Sequence, residues 1–173
     1  MQKVIKSENP EDHWKHLRCF NDRVLDLGCA YNDIDAENTR QNKLGTPHFI
    51  INQCPSFYVG VDSYLPDIEE LKTEFSAKSK QVEFYCDVID STEKLIHYTK
   101  KAEPTIIKCD IEGAETFFFG IKSMPSVLQI AVELHSLAIE KAFTEWAEAQ
   151  NFKSFSREVL EQHRHISVMY FSR

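Results

Sequence analysis

Short apolar runs along this chain end, one after another, on residues that can accept protons or hydrogen bonds. They are Asp26 with Gly28 in RVLDLG, Asp62 in SFYVGVD, Asp87 in VEFYCDV, Asp110 with Glu112 in TIIKCDIE, and Glu133 with His135 in VLQIAVELH. Carboxylates are common at strand exits and as helix caps, so one alone would mean little. Successive run ends that all carry one point to a site. A glycine in the first strand–helix turn lets backbone approach a nucleotide closely, and an acid ending the second strand can accept both ribose hydroxyls. The last two ends suit proton transfer: His135, with an ordinary pKa of about 6.5, is the candidate base. Asp110 is the second candidate, or the group that orients an acceptor. Glu112 and Glu133 complete the candidate catalytic set.

The first turn, Asp26-Leu27-Gly28-Cys29-Ala30-Tyr31-Asn32, selects among nucleotide ligands. Nicotinamide cofactors need GxGxxG, whose amides and helix dipole hold a pyrophosphate; only one of those glycines is present. An acid two residues before that glycine suits a ligand carrying a sulfonium and an ammonium. The expected cofactor is therefore S-adenosylmethionine. Asp110, Glu133 and His135 also offer the carboxylate and imidazole donors that several divalent metals accept. No tight spacing motif joins them, and no metal is assigned.

The elements that must carry these residues alternate. Glu8–Phe20 has helical spacing through Trp14 and Leu17, within an N-terminal segment over 1–22. Strands are expected at Arg23–Gly28, Ser56–Asp62, Val82–Val88, Thr105–Ile111 and Val127–Leu134. Helices are expected from about Asp35, over Pro66–Lys78, after an N-cap at Ser91, through Phe117–Lys122, and over Ala138–Gln150. The tail from Phe152 reads as two strands, the last being Ile166–Phe171. Continuously apolar strands between helices imply a mostly parallel sheet covered on both faces. The expected fold is therefore α/β, a Rossmann-like doubly wound sheet with an antiparallel C-terminal edge strand. No linker divides residues 1–173, so one domain is expected, with 33–56 as an insert or lid loop.

Val24–Asn32 resembles the first motif of class I methyltransferases. Ile106–Glu115, IIKCDIEGAE, looks like the signature of FkbM-type methyltransferases, and Val132–His135, VELH, is similar to that family's fifth-strand ending. The resemblance runs from about Arg23 to Phe171 in element order. It implies methyl transfer, often to oxygen, on a small molecule or sugar. Carried over by residue, Asp26 and Gly28 match the cofactor turn, flanked by Cys29 and Ala30. Asp62, followed by Ser63, matches the ribose position, and Asp87 with Val88 the adenine side. Asp110, Glu112 and Gly113 match the signature, and Glu133 and His135 the fifth-strand polar pair. Ala30 and Asn32 depart from the glycines usual there, which motivates the alternative of a catalytically inactive binding or regulatory module on the same fold.

With 173 residues, 42 % of them hydrophobic, the chain can build one real core. A formal charge of −7 argues against broad nucleic-acid binding and suits a neutral or cationic small-molecule acceptor. The cysteines Cys19, Cys29, Cys54, Cys86 and Cys109 form no CxxC pair and read as buried, reduced thiols, with Cys29, Cys86 and Cys109 in apolar strand-like runs or just after one. The polar N-terminus and the lack of a long apolar run point to a cytoplasmic protein without a membrane span. So many aromatics in a small domain are compatible with a homodimer.

Overall fold

The Rossmann-like sheet is built from the apolar runs. In a computed structural model that describes residues 3–5, 14–29, 46–78, 80–160 and 165–173, they become β2 (Arg23–Leu27), β3 (Phe57–Asp62), β4 (Val82–Cys86), β5 (Ile106–Cys109) and β6 (Gln129–Leu134). β7 (Lys153–Leu160) and β8 (Ser167–Ser172) form from the tail, and β1 (Lys3–Ile5) precedes them all. The order across the sheet is β4-β3-β2-β5-β6-β8-β7-β1. Every neighbouring pair is parallel except those made by β8, which runs antiparallel to β6 and β7. The antiparallel strand expected from the C-terminus is thus β8; β7 and the short β1 pair outside it.

Strand alternation sorts side chains between two cores. Leu25 and Leu27 face one side, where they meet Leu95 and Tyr98 of α3 (Thr92–Ala102) and Phe143 and Ala147 of α4 (Leu137–Ala149). Val24 and Tyr58 face the other, with Trp14, Leu17, Ile50 and Ile51 of α1 (Thr46–Ile51), and Ile68 and Leu71 of α2 (Leu65–Glu74). Ser91 caps α3 by accepting from the Lys94 amide, and Ser136 caps α4 by accepting from Ile139. Among the described residues no helix is long and apolar enough to cross a membrane.

Several expectations change. The described part of the helix expected over Glu8–Phe20 is only a turn at Trp14–His16. Trp14 and Leu17 are buried as its spacing implied, yet Phe20 is 78 % exposed, because the chain reverses at Asn21 (φ 62°) to enter β2. β1 lies within the N-terminal segment expected to be helical. The end of the expected insert 33–56 is α1, whose Ile50 and Ile51 are core residues, so that stretch is fixed to the sheet. Ala30, Asn32 and the helix expected from about Asp35 lie outside the described residues. The helix expected through Phe117–Lys122 is a 3-10 helix, Ala114–Gly120. Cys54 and Cys86 are exposed rather than buried, while Cys19, Cys29 and Cys109 are buried and all five thiols are free.

Candidate functional site

The strand order reverses at β2, which lies between β3 and β5, and ligands of such sheets bind beyond the carboxyl ends of the strands at that point. The Gly28 turn sits there. Its φ is +74°, its amide donates to Val61 O at 2.9 Å, and a Cβ on it would stand 1.6 Å from the Asp110 carbonyl oxygen. Only glycine fits, so the turn by which the chain leaves β2 lies directly against the end of β5.

Beneath the turn the structure corrects one expectation. Asp26 is fully buried, not an open anion facing a ligand. Tyr58 donates to its Oδ2 at 2.6 Å, and the Lys108 ammonium, equally buried, stands 3.2 Å from its Oδ1. The two face each other because residues 26 and 108 are in register on β2 and β5. Burial pushes the Asp26 carboxyl up, and Lys108 and Tyr58 oppose it. Burial would lower Lys108, but the charges of Asp26 and Asp110 overcome it and hold the ammonium protonated. Cys29 is 1 % exposed and burial drives its thiol far up, so only its backbone could meet a ligand.

Farther along the sheet edge, Asp62 is 4 % exposed and its Oδ1 accepts the Tyr64 amide at 2.9 Å. Ser63 beside it is exposed. Asp87 accepts from Lys94 Nζ at 2.8 Å, from Tyr98 at 2.9 Å and from the Val88 amide, and its pKa is lowered, chiefly by the Lys94 hydrogen bond. Val88 is exposed, as are Tyr64 and Leu65 just past Asp62. These apolar groups at the ends of β3 and β4 are a surface on which a flat base could rest. Sequence reasoning does not single out Tyr64 and Leu65, although SYLP shows large apolar residues where a strand exit is usually polar.

The ends of β5 and β6 bring the predicted catalytic residues together. His135 Nε2 stands 3.4 Å from Glu112, 3.5 Å from Glu133 and 4.0 Å from Asp110. Its other nitrogen, Nδ1, donates at 2.7 Å to Glu115, which has no exposed surface. Positive φ at Glu112 (52°) and Gly113 (93°) turns the chain so that Glu115 folds back under the imidazole, where it also accepts the Gly113 amide. Burial tends to lower the His135 pKa; the Glu115 hydrogen bond and the charges of Glu115, Glu133 and Asp110 outweigh it and raise it to about 9. At neutral pH the imidazole is therefore a cation, not the free base its ordinary pKa suggested. Glu115 and Lys108, both inside the signature, carry structural weight that sequence reasoning does not assign.

One donor atom each from Asp110, Glu133 and His135 lie within 4.8 Å of one another, so these residues could hold a divalent cation if the imidazole gave up its proton. His16 pairs with buried Glu158 at 3.1 Å.

No family model and no curated protein matches the sequence. Solved structures do match in shape. Streptococcus pneumoniae Sp1610, in complex with S-adenosyl-L-methionine, superposes with a TM-score of 0.63 at 10 % identity over 96 % of this chain and 72 % of that one. The precorrin-6y C5,15-methyltransferase of Geobacter metallireducens GS-15 gives 0.59 at 13 % identity, over 98 % and 91 %. This chain has the fold of the class I methyltransferases. Fibrillarin from Aeropyrum pernix, with natively bound S-adenosyl-L-methionine, shares that fold at a TM-score of 0.58 and 10 % identity, over 90 % of this chain and 68 % of its own.

Proposed function

We propose that this methyltransferase-fold chain is an S-adenosylmethionine-dependent enzyme of the FkbM type that methylates an oxygen of a small, sugar-like acceptor. The observation that carries the reading is the contact between the Gly28 turn and Asp110. It sets the expected cofactor turn and the carboxylate–imidazole cluster side by side at the switch point.

In this reading the Gly28 turn, Asp62 with Ser63, and the surface of Tyr64, Leu65 and Val88 receive the cofactor, which supplies an electrophilic methyl group. Asp110 and Glu133, with Glu112 at the rim, hydrogen-bond the acceptor hydroxyls. Alignment of the two reactants is the main source of rate, worth about 7–11 kcal/mol when near-attack geometry is reached. The acceptor proton passes to a carboxylate of the cluster, because His135 already carries its proton. That imidazolium offsets part of the charge of Asp110, Glu112, Glu115 and Glu133. An acidic cluster on an acidic chain also disfavours a phosphate-rich nucleic acid.

The test is S-adenosylhomocysteine release from S-adenosylmethionine across a panel of sugars and small alcohols, with amines as the contrast set. Release with a hydroxylated acceptor supports the reading; release only with amines moves the acceptor atom to nitrogen. A second reading is a module that binds the cofactor without turnover, motivated by Ala30 and Asn32 where glycines are usual in the turn. Tight binding with no product from any acceptor would establish it.

A further inference from the structure

We infer that Lys108 is a positioning residue of the cofactor turn, holding the Gly28 peptide in place through its carbonyl rather than serving only as the counter-ion of Asp26. The inference rests on the cofactor-binding reading above. The Lys108 ammonium donates to Gly28 O at 2.5 Å, closer than it stands to Asp26 Oδ1 at 3.2 Å, and lies 3.5 Å from Leu27 O. The indole of Trp14 covers it from the remaining side, 5.0 Å from the ring centre.

The Gly28 peptide is thereby tied on each side. Its amide goes to Val61 on β3, its Cα rests against the Asp110 carbonyl just past β5, and its carbonyl goes to Lys108 on β5. Among the described residues Lys108 is the one donor to that carbonyl, and a left-handed residue at a strand end lies outside the ladder that fixes strand carbonyls. Because Lys108 and Asp26 cancel in charge, the turn presents ordered backbone rather than a field. Asp26 in turn makes a buried ammonium tolerable, since a lone charge there would be strongly disfavoured.

Counter-ion and positioning roles separate in a set of variants of the full chain: Asp26→Asn, Lys108→Met, and the neutral double Asp26→Asn/Lys108→Met. The readouts are melting temperature, calorimetric affinity for S-adenosylhomocysteine, and hydrogen exchange at the Gly28 and Cys29 amides without ligand. Lys108→Met should melt early and bind at least tenfold more weakly. The double variant should recover most of the melting temperature yet stay at least tenfold weak, with faster exchange at Gly28 and Cys29. Recovery of wild-type affinity and exchange by the double variant overturns the inference, because charge balance would then be all that Lys108 provides. Asp26→Asn alone leaves the ammonium without its counter-charge and should melt early, but the Lys108 amine still donates to Gly28 O, so exchange at Gly28 and Cys29 should stay slower than in Lys108→Met. If it instead loosens the turn as much as Lys108→Met, Asp26 is the holding residue and the inference fails, whether or not the double variant folds. If wild type shows no affinity for the nucleoside, the cofactor reading falls, and the exchange rates alone decide the role of Lys108.

Discussion

His135 Nδ1 lies 2.7 Å from the Oε1 atom of Glu115, a carboxylate with no surface exposed, and this pair sets both the direction and the charge of the imidazole. With that nitrogen fixed, Nε2 can only face Asp110, Glu112 and Glu133. The cluster's positive charge is thus internal to the fold.

That charge should appear in stability. The His135 pKa is about 9 in the folded chain, above its ordinary 6.5, so its contribution is complete below about pH 6.5 and lost as pH rises through 9. Thermal melts of wild type should fall over that window more steeply than those of His135→Gln. Equal slopes would mean that the imidazole is not held protonated.

Gly28→Ala places a Cβ 1.6 Å from the Asp110 carbonyl oxygen at a φ of +74°. Backbone cannot yield cheaply, so a loss of about 3 kcal/mol or more is expected, roughly 6–12 °C in melting temperature for a domain of this size. A melt within about 2 °C of wild type would show that the turn does not pack as described.

Asp62→Ala and His135→Gln should separate binding from transfer. The first removes the proposed ribose acceptor and should weaken S-adenosylhomocysteine binding about tenfold or more, the scale of one charge-assisted hydrogen bond. The second should leave that affinity within about twofold while slowing transfer. Unchanged transfer in His135→Gln would remove His135 from the acceptor site.

No metal is assigned to Asp110, Glu133 and His135, so transfer at pH 7 should survive chelation. Loss of activity in EDTA, restored by Mn2+, would instead place a metal on those residues.

Strand identity is legible because each apolar run is bounded by an acid: Asp26, Asp62, Asp87, Asp110 and Glu133 stand within one residue of the ends of β2 to β6. Asp110, Glu133 and His135 meet because β5 and β6 are neighbouring parallel strands. The Asp26–Lys108 pair is not legible, since it depends on the register of strands far apart in sequence. With it goes the expected open anion at the turn. Glu115 escapes for a similar reason: two successive left-handed residues bring it under His135, and spacing along the chain does not reveal that. The apolar spacing around Trp14 imitates a helix, whereas Trp14 lies over the Lys108 ammonium.

The most direct test of the account is calorimetry of the purified full chain with S-adenosylmethionine and S-adenosylhomocysteine. Saturable one-to-one binding, lost in Gly28→Ala and weakened in Asp62→Ala, is the predicted result. No binding heat from either nucleoside at about millimolar concentration, which corresponds to about −4 kcal/mol, would contradict it.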